Sequence, residues 1–366
     1  MASPCSPLND VPLASRTTLE VGGRARYFLQ TANPEEVASG LSWAREHDVE
    51  VAIIGGGSNL LIADRGFDGL VIRQRDASLE HDVDGDSVRL RVTAGMNWDA
   101  LVAWSVSRGF AGLECLSGIP GDVGACPIQN IGAYGQEVAD VISGVVALER
   151  QSGKTVTFDR EACAFGYRDS MFKSVAPDRY VVTSVAMTLR AGGAATLRYS
   201  ELERRVRQEG TPTLAKVRET VFALRSEKSM VLDPKDENRR SAGSFFLNPI
   251  VSPEGAQQAM ERAAVLVPGE TMPRYPASSG SVKLSAAWLI ERSGLSKGTV
   301  RGPVGLSTRH SLAIINRGGA TATQLVDFAV EIQTRVRDEF GVSLRPEPRP
   351  LGFRQDEIAP LYGGHS

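Results

Sequence analysis

Residues 51–62, VAIIGGGSNLLI, run from an apolar strand into three glycines and on into a second apolar segment. The glycines leave backbone N–H groups unshielded, and Ser58 and Asn59 add hydrogen-bonding side chains. A Rossmann-type nucleotide site needs G-x-G-x-x-G at the start of a helix, but here Leu60 takes the third glycine position and an apolar run follows. Two interpretations stay open: a nest of N–H groups that holds a pyrophosphate without a helix, and a plain turn.

Composition narrows the class of protein. The chain has 366 residues, a net charge of −2, 42% hydrophobic residues and 23% charged residues, which is ordinary for a globular protein of two or three domains. The charge balance argues against a nucleic-acid-binding surface. No window approaches 18 uninterrupted apolar residues, and the N-terminus lacks a signal-peptide pattern. We therefore expect a cytoplasmic protein with no membrane insertion, and a monomer by default.

Cysteine and histidine usage excludes two further classes of site. The four cysteines, Cys5, Cys115, Cys126 and Cys163, show no CxxC spacing, so we expect reduced thiols rather than a disulfide scaffold. The four histidines are widely separated, so we expect no metal site.

Periodicity predicts a chain of mixed helices and strands. Helices are predicted over residues 33–47, 97–108, 214–228, 285–291 and 322–340; strands over 49–54, 69–74, 179–190 and 311–316; and hairpins around 84–85 and 152–153. This order gives a small β-α-β unit, a strand-rich middle region and a third α+β unit. The last dozen residues are expected to form a loose tail.

A second glycine-rich loop occupies residues 113–137, LECLSGIPGDVGACPIQNIGAYGQE. Its glycines and low charge suit close backbone approach to a large flat ligand, with Gln129, Asn130 and Tyr134 as directional polar contacts. A structural Ω-like loop is the alternative.

Three shorter segments carry chemically capable side chains. In FGYRDSMFK, Arg168 has the planar guanidinium that binds a carboxylate bidentately, although a local contact with Asp169 is the alternative. In SAGSFFLNP, Ser244 stands before two phenylalanines, as a held proton donor or as a serine bonded to backbone. In LRPEPR, two prolines flank Glu347, which is either a directed carboxyl or a solvated linker residue.

Taken in order, these segments resemble one family, the UDP-N-acetylenolpyruvoylglucosamine reductases. The resemblance runs from about Leu13 to Phe353 and rests on GGGSNLLI, GLECLSGIPG, PIQNIGAYG, FGYRDSMFK, SAGSFFLNP, GSVKLSAAWLIE and LRPEPR. The segment LRYSEL, with Tyr199, resembles the first type of the family, in which a tyrosine there closes over the substrate.

The resemblance implies an α+β fold of the vanillyl-alcohol-oxidase-like flavoproteins, with two FAD-binding subdomains and a third, substrate-binding α+β domain. On that basis we predict FAD-binding subdomains at 1–74 and 75–228, a substrate-binding domain at 229–349 and a C-terminal tail at 350–366.

The implied activity is NADPH-dependent reduction, through non-covalent FAD, of the enolpyruvyl group of UDP-N-acetylglucosamine-enolpyruvate. The product is UDP-N-acetylmuramate, a peptidoglycan precursor. One rival is a flavin-dependent oxidase of the same superfamily, and covalent attachment of flavin through Cys115 or Cys126 stays open. Another is a nucleotide-sugar-binding protein without catalysis, which has no use for Arg168, Ser244 and Glu347 as a set.

The implied site residues fall into three groups. The catalytic group has Arg168 at the substrate carboxylate, Ser244 as proton donor to C2, and Glu347, whose pKa we expect burial to raise. The cofactor group is Gly55, Gly56, Gly57, Ser58, Asn59, Leu60, Gly118, Gly121, Gly124, Gln129, Asn130, Gly132, Ala133 and Tyr134. The substrate group is Tyr199, Lys228, Asn248 and Lys283, and Arg225 shares the predicted helix end with Lys228.

Overall fold

The computed structural model describes residues 6–208 and 210–363. Among these residues the helices are α1 Pro34–Glu46, α2 Trp98–Ser107, α3 Ser200–Gln208, α4 Leu214–Glu227, α5 Pro253–Leu266, α6 Ala286–Arg292, α7 Ala322–Phe340 and α8 Gln355–Tyr362. The predicted helices therefore correspond to α1, α2, α4, α6 and α7 and are confirmed. No described helix has the length and apolarity needed to cross a bilayer. Cys5 lies outside the described residues.

The strands, like the helices, are distributed along the whole described part of the chain. They are β1 Leu8–Pro12, β2 Arg24–Thr31, β3 Glu50–Ile54, β4 Leu60–Ile62, β5 Phe67–Gln74, β6 Leu79–Asp84, β7 Ser87–Thr93, β8 Phe110–Ala111, β9 Gly132–Ala133, β10 Gln136–Glu137, β11 Ile142–Glu149, β12 Thr155–Asp159, β13 Tyr180–Ala191, β14 Ile250–Val251, β15 Arg274–Pro276, β16 Val282–Leu284, β17 Val300–Arg301, β18 Val304–Leu306, β19 Ile314–Asn316 and β20 Arg349–Leu351. Both predicted hairpins form, as β6–β7 and β11–β12.

The chain divides into two compact units. The first comprises Met1–Val11, Ala25–Gly56 and Asp68–Leu232, and the second comprises Pro12–Arg24, Gly57–Phe67 and Asp233–Ser366. The second unit is therefore assembled from three separate stretches of chain. The domain limits at residues 74, 228 and 349 stay a prediction.

Two sheets form the frame of the first unit. One has the strand order β1-β2-β5-β3, in which β3 and β5 are parallel, and α1 packs its buried Val37, Leu41 and Ala44 in the same cluster as Leu70 and Ile72. The Asn33 side chain accepts the Glu36 N–H at 2.8 Å and so caps α1. The other sheet has the order β12-β11-β13-β7-β6 and is antiparallel, with β8 added to β13.

Helices α2 and α4 are joined in the first unit through Asp99. Both carboxylate oxygens of Asp99 accept from Arg218, at 2.7 and 2.8 Å, and Oδ1 also accepts the Gly118 N–H at 2.7 Å. This bidentate pair is stronger than an ordinary surface ion pair because it is partly buried and geometrically matched. It fixes the start of the glycine-rich loop to two helices.

Helix α7 organises the second unit. Its buried residues, including Leu325, Phe328 and Ile332, join a core to which the early residues Leu19 and Leu61 also belong. The N-terminus of α7 carries a capping box made by Thr321 and Gln324. The Asp64 carboxylate also accepts the N–H groups of Ala322 and Thr323, at 2.7 and 3.0 Å, which suits the positive end of a helix.

Two expectations for the second unit are wrong. The last dozen residues do not form a loose tail as far as residue 363, because α8 buries Ile358 and Leu361 in the α7 core. The Tyr362 hydroxyl also donates to the Pro348 carbonyl, next to Glu347. The strand predicted over 311–316 is only β19, because residues 307–313 turn the chain back from β18.

We expect Leu361→Ala to lower the free energy of unfolding by about 2–4 kcal/mol, because it removes a side chain that is 1% exposed in the core of the second unit. Urea titration followed by circular dichroism measures the change. Gln355→Ala, an exposed position on the same helix, is the matched control and should cost less than about 0.5 kcal/mol. A loss no larger for Leu361 than for Gln355 would show that α8 does not pack as described.

Candidate active site

The glycines of the first unit allow two loops to approach each other through their backbones. A Cβ atom on Gly56 would lie 2.8 Å from the Gly121 Cα atom, and one on Gly124 would lie 2.6 Å from the Ala94 Cβ atom. Gly118 and Gly121 also have φ angles of 70° and 128°, which side chains disfavour. These glycines are therefore needed for packing, whatever else the loops bind.

Asp122, which follows Gly121 in the glycine-rich loop, carries a buried acceptor oxygen that lacks a hydrogen-bond partner among the described residues. Its side chain is only 6% exposed, and among the described residues its Oδ2 atom has no hydrogen-bond partner. A Cβ atom on Gly55 would lie 3.4 Å from that oxygen, so the glycine leaves the space beside it open. Burial raises the pKa of the Asp122 carboxyl, and the charges of Arg73 and Arg75 oppose the shift. A ligand with hydroxyl or N–H donors would satisfy this group.

The structure brings together two of the predicted motifs, PIQNIGAYG and FGYRDSMFK, in the first unit. Arg168 donates to the Asn130 carbonyl at 3.2 Å and to the Gly132 carbonyl. In return, the Asn130 amide donates to the Gly166 carbonyl at 2.9 Å. Asn130 and Arg168 have φ angles of 44° and 53°, in the left-handed region that non-glycine residues rarely adopt. Such strain is often stored at functional sites, where surrounding bonds hold it in place.

The Asn130 side chain is bonded within the protein. It is 1% exposed, its Nδ2 also donates to the Glu137 carboxylate at 2.9 Å, and its Oδ1 accepts the Ala139 N–H at 3.1 Å. Gln129 precedes it and is partly buried. Gly132 and Ala133 form β9, antiparallel to β10. The Asn130 side chain therefore holds the loop through both of its polar atoms, and its predicted contact with a cofactor stays a prediction.

Tyr134, Tyr199 and Arg225 lie in one region of the first unit. The rings of Tyr134 and Tyr199 pack edge to face with centroids 5.4 Å apart, and Tyr199 is 39% exposed. Burial raises the pKa of Tyr134 to about 12. Burial lowers the pKa of the Arg225 guanidinium, and the nearby Tyr134 and Asp99 oppose that shift. Within the described chain Arg225 Nε is buried without a hydrogen-bond partner, which leaves a cation with unused donor capacity.

Lys228 lies one turn beyond Arg225, as the C-cap residue of α4, where its N–H donates to the Arg225 carbonyl at 3.1 Å. The end of a helix concentrates partial negative charge, so two cationic residues are favourable there even before any ligand binds. Ser229 follows in a left-handed conformation and ends the helical path.

In the second unit, the segment that starts with Gly57 lies beside Glu347. Strand β4 is parallel to β20, with Leu60 opposite Arg349. Asn59 Nδ2 donates to the Glu347 carbonyl at 3.3 Å, and the Asn59 carbonyl accepts from Arg349 at 2.9 Å. A Cβ atom on Gly57 would lie 2.0 Å from the Arg16 carbonyl oxygen. The Ser58 carbonyl accepts from Thr18 at 3.4 Å. This part of the loop is therefore tightly packed.

Ser244 and Glu347 come from neighbouring segments of the second unit. The Phe245 N–H donates to Leu312 at 2.7 Å, and the Phe245 carbonyl accepts the Glu347 N–H at 2.9 Å. Phe245 and Phe246 are fully buried, with ring centroids 5.3 Å apart. Ser244 itself is partly buried, and its Oγ lies 3.5 Å from His310 Nε2. The serine is thus held beside a buried aromatic pair, as its sequence predicts.

Asn248 and Lys283 follow from the same segment and its sheet. Asn248 Oδ1 accepts the Ala286 N–H at 3.0 Å, at the start of α6, and its amide donors are not used by that bond. Lys283 lies in β16, the central strand of a three-stranded sheet, opposite Ile250 and Tyr275. Both side chains are partly buried.

The cysteines are poorly suited to covalent attachment of flavin. Cys115, Cys126 and Cys163 are free thiols and fully buried. Burial raises the pKa of Cys115 and Cys126, and it raises that of Cys163 to about 11. Since the thiolate is the reactive form, these side chains are weak nucleophiles at neutral pH.

Three groups were missed in the sequence. For Asp122 and Glu114 a signal was available in the sequence, because each is a lone acid among glycine and apolar residues. The fully buried Glu114 carboxylate accepts the N–H groups of Gly112 and Thr196, both at 2.7 Å. His310 carried no local signal, since its partner Ser244 is 66 residues away.

Two known families match separate parts of the chain. Residues 25–159 match a family described as FAD binding domain. Residues 233–351 match a family described as UDP-N-acetylenolpyruvoylglucosamine reductase, C-terminal domain.

Full-length relatives are similar over nearly the whole chain. Two proteins named UDP-N-acetylenolpyruvoylglucosamine reductase, from Thermobifida fusca and Saccharopolyspora erythraea, are each 46% identical over 94% of this chain, covering 97% and 95% of the relative. A crystal structure of UDP-N-acetylenolpyruvylglucosamine reductase from Thermus caldophilus has a TM-score of 0.63 at 27% identity, covering 94% of this chain and 99% of that one.

The fold and the matched regions define an FAD-binding flavoprotein with a further α+β domain, which confirms the predicted fold class. More narrowly, the chain belongs to the UDP-N-acetylenolpyruvoylglucosamine reductase family. The resemblance seen in the sequence is therefore confirmed, and the flavin oxidase alternative is not favoured.

We expect Asp122→Asn to change how stability depends on pH. A carboxyl with a raised pKa binds more protons in the folded state, so wild-type stability falls as pH rises from the unfolded value of about 3.9 to the raised folded value. The free energy of unfolding of the variant minus that of the wild type should therefore rise across this window and then level. Urea titrations of the unliganded protein at a series of pH values measure it.

The wild-type protein, titrated in parallel at every pH, is the reference for this difference. A difference that stays flat across the window would mean that the Asp122 carboxyl is not buried as the structure has it.

Proposed function

We propose that this protein reduces the enolpyruvyl group of UDP-N-acetylglucosamine-enolpyruvate to give UDP-N-acetylmuramate, with FAD as non-covalent cofactor and NADPH as reductant. The observation that carries the residue assignment is the pair of hydrogen bonds made by Phe245, which holds the Ser244 and Glu347 segments side by side. The family membership supports the reaction. The proposal places the protein in the cytoplasm as a monomer in peptidoglycan precursor synthesis.

The residues present fit FAD. The orphaned Asp122 oxygen beside Gly55 suits a ligand with hydroxyl and N–H donors, such as a ribityl chain or an adenine. We assign FAD binding to Gly55, Gly56, Gly57, Ser58, Asn59, Leu60, Gly118, Gly121, Gly124, Gln129, Asn130, Gly132, Ala133 and Tyr134. When bound, FAD supplies hydride transfer between NADPH and C3 of the substrate.

Arg168 binds the substrate carboxylate in this proposal. Negative charge develops at C2 after hydride reaches C3, and it spreads into the carboxylate. A guanidinium already held in place lowers the energy of that state without reorganising during the reaction. Two carbonyl contacts and the ring of Tyr167, 5.6 Å from the guanidinium carbon, hold Arg168 in place.

Ser244 donates the proton that C2 receives, and Glu347, in its protonated or hydrogen-bonded state, stabilises the developing charge beside it. A serine is a weak acid in water, but a strongly basic carbanion accepts its proton when the hydroxyl is correctly placed. The buried Phe245–Phe246 pair restricts Ser244, and the backbone contacts of Glu347 restrict the carboxyl.

The UDP portion requires cations and directional donors. We assign Lys228 and Arg225 to the diphosphate, since Arg225 has an unused buried donor and both side chains project from the end of α4. Asn248, Lys283 and Tyr199 complete the substrate-binding set. Tyr199 is exposed and rests on Tyr134, as a residue that contacts an incoming substrate would.

A two-stage anaerobic spectrum of the purified FAD-loaded protein tests the function. NADPH should bleach the flavin band near about 450 nm, and the UDP-linked enolpyruvyl sugar should then restore it without air. Recovery only on admitting oxygen would favour the oxidase. Failure to take up FAD at all would favour a binding protein without catalysis.

We expect Ser244→Ala to leave flavin reduction by NADPH nearly intact and to slow reoxidation by the sugar on the order of a hundredfold or more, because only the second half-reaction uses the proton. Stopped-flow absorbance separates the two. Ser296→Ala, an exposed serine in the same unit, is the control. Equal slowing of both half-reactions would remove Ser244 from the proton-donor role.

A further inference from the structure

His310 is the one ionisable side chain that the structure records in hydrogen-bond contact with the Ser244 hydroxyl among the described residues, with His310 Nε2 and Ser244 Oγ 3.5 Å apart. Resting on the function proposed above, we propose that His310 is a positioning residue for Ser244. Its Nε2–H donates to Ser244 Oγ, so that the serine proton is directed to substrate C2 and the oxygen is stabilised once the proton has left.

The loop that carries His310 is built to hold it still. Residues 307–313 connect β18 to β19, whose ladder closes with Leu306 opposite Ile314. The Ser307 hydroxyl is fully buried and accepts the N–H groups of Arg309 and His310, at 3.2 and 3.3 Å. The His310 carbonyl accepts the Ala313 N–H at 3.1 Å. Both backbone groups of His310 are thus bonded inside the loop, which limits the positions open to its ring.

The same loop is tied directly to the serine segment. The Leu312 carbonyl, two residues beyond His310, accepts the Phe245 N–H at 2.7 Å, one residue beyond Ser244. Ser241 also pairs with Ile315 in an isolated bridge. The histidine and the serine are therefore held by a short hydrogen-bonded path between their own backbones, and their contact does not depend on long flexible side chains.

The direction of the hydrogen bond follows from the chemistry. A hydroxyl has one proton, and a proton donor must point it at the carbon that receives it. The neighbouring ring nitrogen then has to donate, which assigns the proton of a neutral imidazole to Nε2. An N–H aimed at Oγ also favours the charged oxygen over the neutral one, as any hydrogen bond to the ionised form of an acid does.

The step balances without a further reactant. The Oγ–H bond of Ser244 breaks, its electron pair stays on Oγ, and the electron pair at C2 forms the new C2–H bond. The resulting alkoxide keeps the His310 hydrogen bond until water returns a proton to it. His310 donates a hydrogen bond throughout and is not consumed.

A double-mutant cycle tests the inference. His310→Ala should slow reoxidation by the sugar about tenfold, the effect of one lost hydrogen bond to a charged oxygen, and leave reduction by NADPH within about twofold. Ser244→Ala combined with His310→Ala should react at the rate of Ser244→Ala alone, because a residue that acts only through Ser244 has no effect once Ser244 is gone. A double variant slower than Ser244→Ala would overturn the proposal.

Two further readouts separate positioning from a purely structural role. His310→Gln should restore the rate to within about threefold of wild type, since its amide N–H reaches the place of Nε2. His310→Ala should raise the solvent deuterium isotope effect on reoxidation, because proton transfer becomes slower relative to hydride transfer. His81→Gln, an exposed histidine in the first unit, is the control and should change neither quantity.

The contact is also measurable without turnover. The imidazole 15N signals of His310 in histidine-labelled protein, identified by their loss in His310→Gln, should shift in Ser244→Ala. Unshifted signals would overturn the proposal.

Different results would contradict the proton-donor role of Ser244 and the positioning role of His310. Normal reoxidation in Ser244→Ala removes the proton donor and the His310 role with it. Slow reoxidation in Ser244→Ala with normal reoxidation in His310→Ala removes the His310 role alone.

Discussion

The two backbone hydrogen bonds of Phe245 are the constraint on which the second unit's chemistry depends. Its N–H reaches the loop after His310, and its carbonyl reaches the segment of Glu347. Because both partners are backbone groups, the arrangement tolerates no slippage by one residue without losing a bond inside the core. Ser244 immediately precedes this backbone clamp. Its position is therefore fixed by residues that take no part in the reaction. The fully buried ring of Phe245 makes the clamp rigid, since it can leave only by opening a cavity.

In the first unit, reciprocal polar contacts of Asn130 and Arg168 hold two loops together. Each residue is in a left-handed conformation that costs energy, and each bonds the backbone of the other's loop. A glycine at either position would relieve the strain but would remove the side chain that holds the loops together. The same region buries the Glu114 carboxylate on backbone N–H groups. Charge and strain are thus offset by bonds within the loops themselves.

Local signals in the sequence predicted the local structure. Asn33 and Gly109 mark helix ends by capping and by a positive φ angle, so α1 and α2 were predictable from a few adjacent residues. Helix α8 was missed because its apolar positions, Ile358 and Leu361, acquire meaning only against α7. A short amphipathic segment with a proline is interpreted as a tail when the helix against which it packs is not considered with it.

For the candidate site, the sequence identified the segments but not what holds them. The glycines were interpreted as room for a ligand, and the structure adds that Gly56 and Gly124 are required for close packing within the protein. Asn130 was predicted to supply a directional contact to a ligand, and the structure adds that its side chain also bonds Glu137, Ala139 and Gly166. The contact between His310 and Ser244 joins residues 66 positions apart, which no local pattern encodes.

The assembly of the second unit from three separate stretches of chain has a consequence for biosynthesis. Asn316 Nδ2 donates to the Leu19 carbonyl at 3.0 Å across 297 residues of chain, and Leu19 and Leu61 share a core with α7. On a ribosome, the early segments emerge long before the residues that cover them, and closing such long loops is slow. Until Asp233–Ser366 has been synthesised, Leu19, Val21 and Leu61 have no completed core to join. The nascent chain thus carries exposed apolar side chains for most of its synthesis, which makes it a natural client for chaperones.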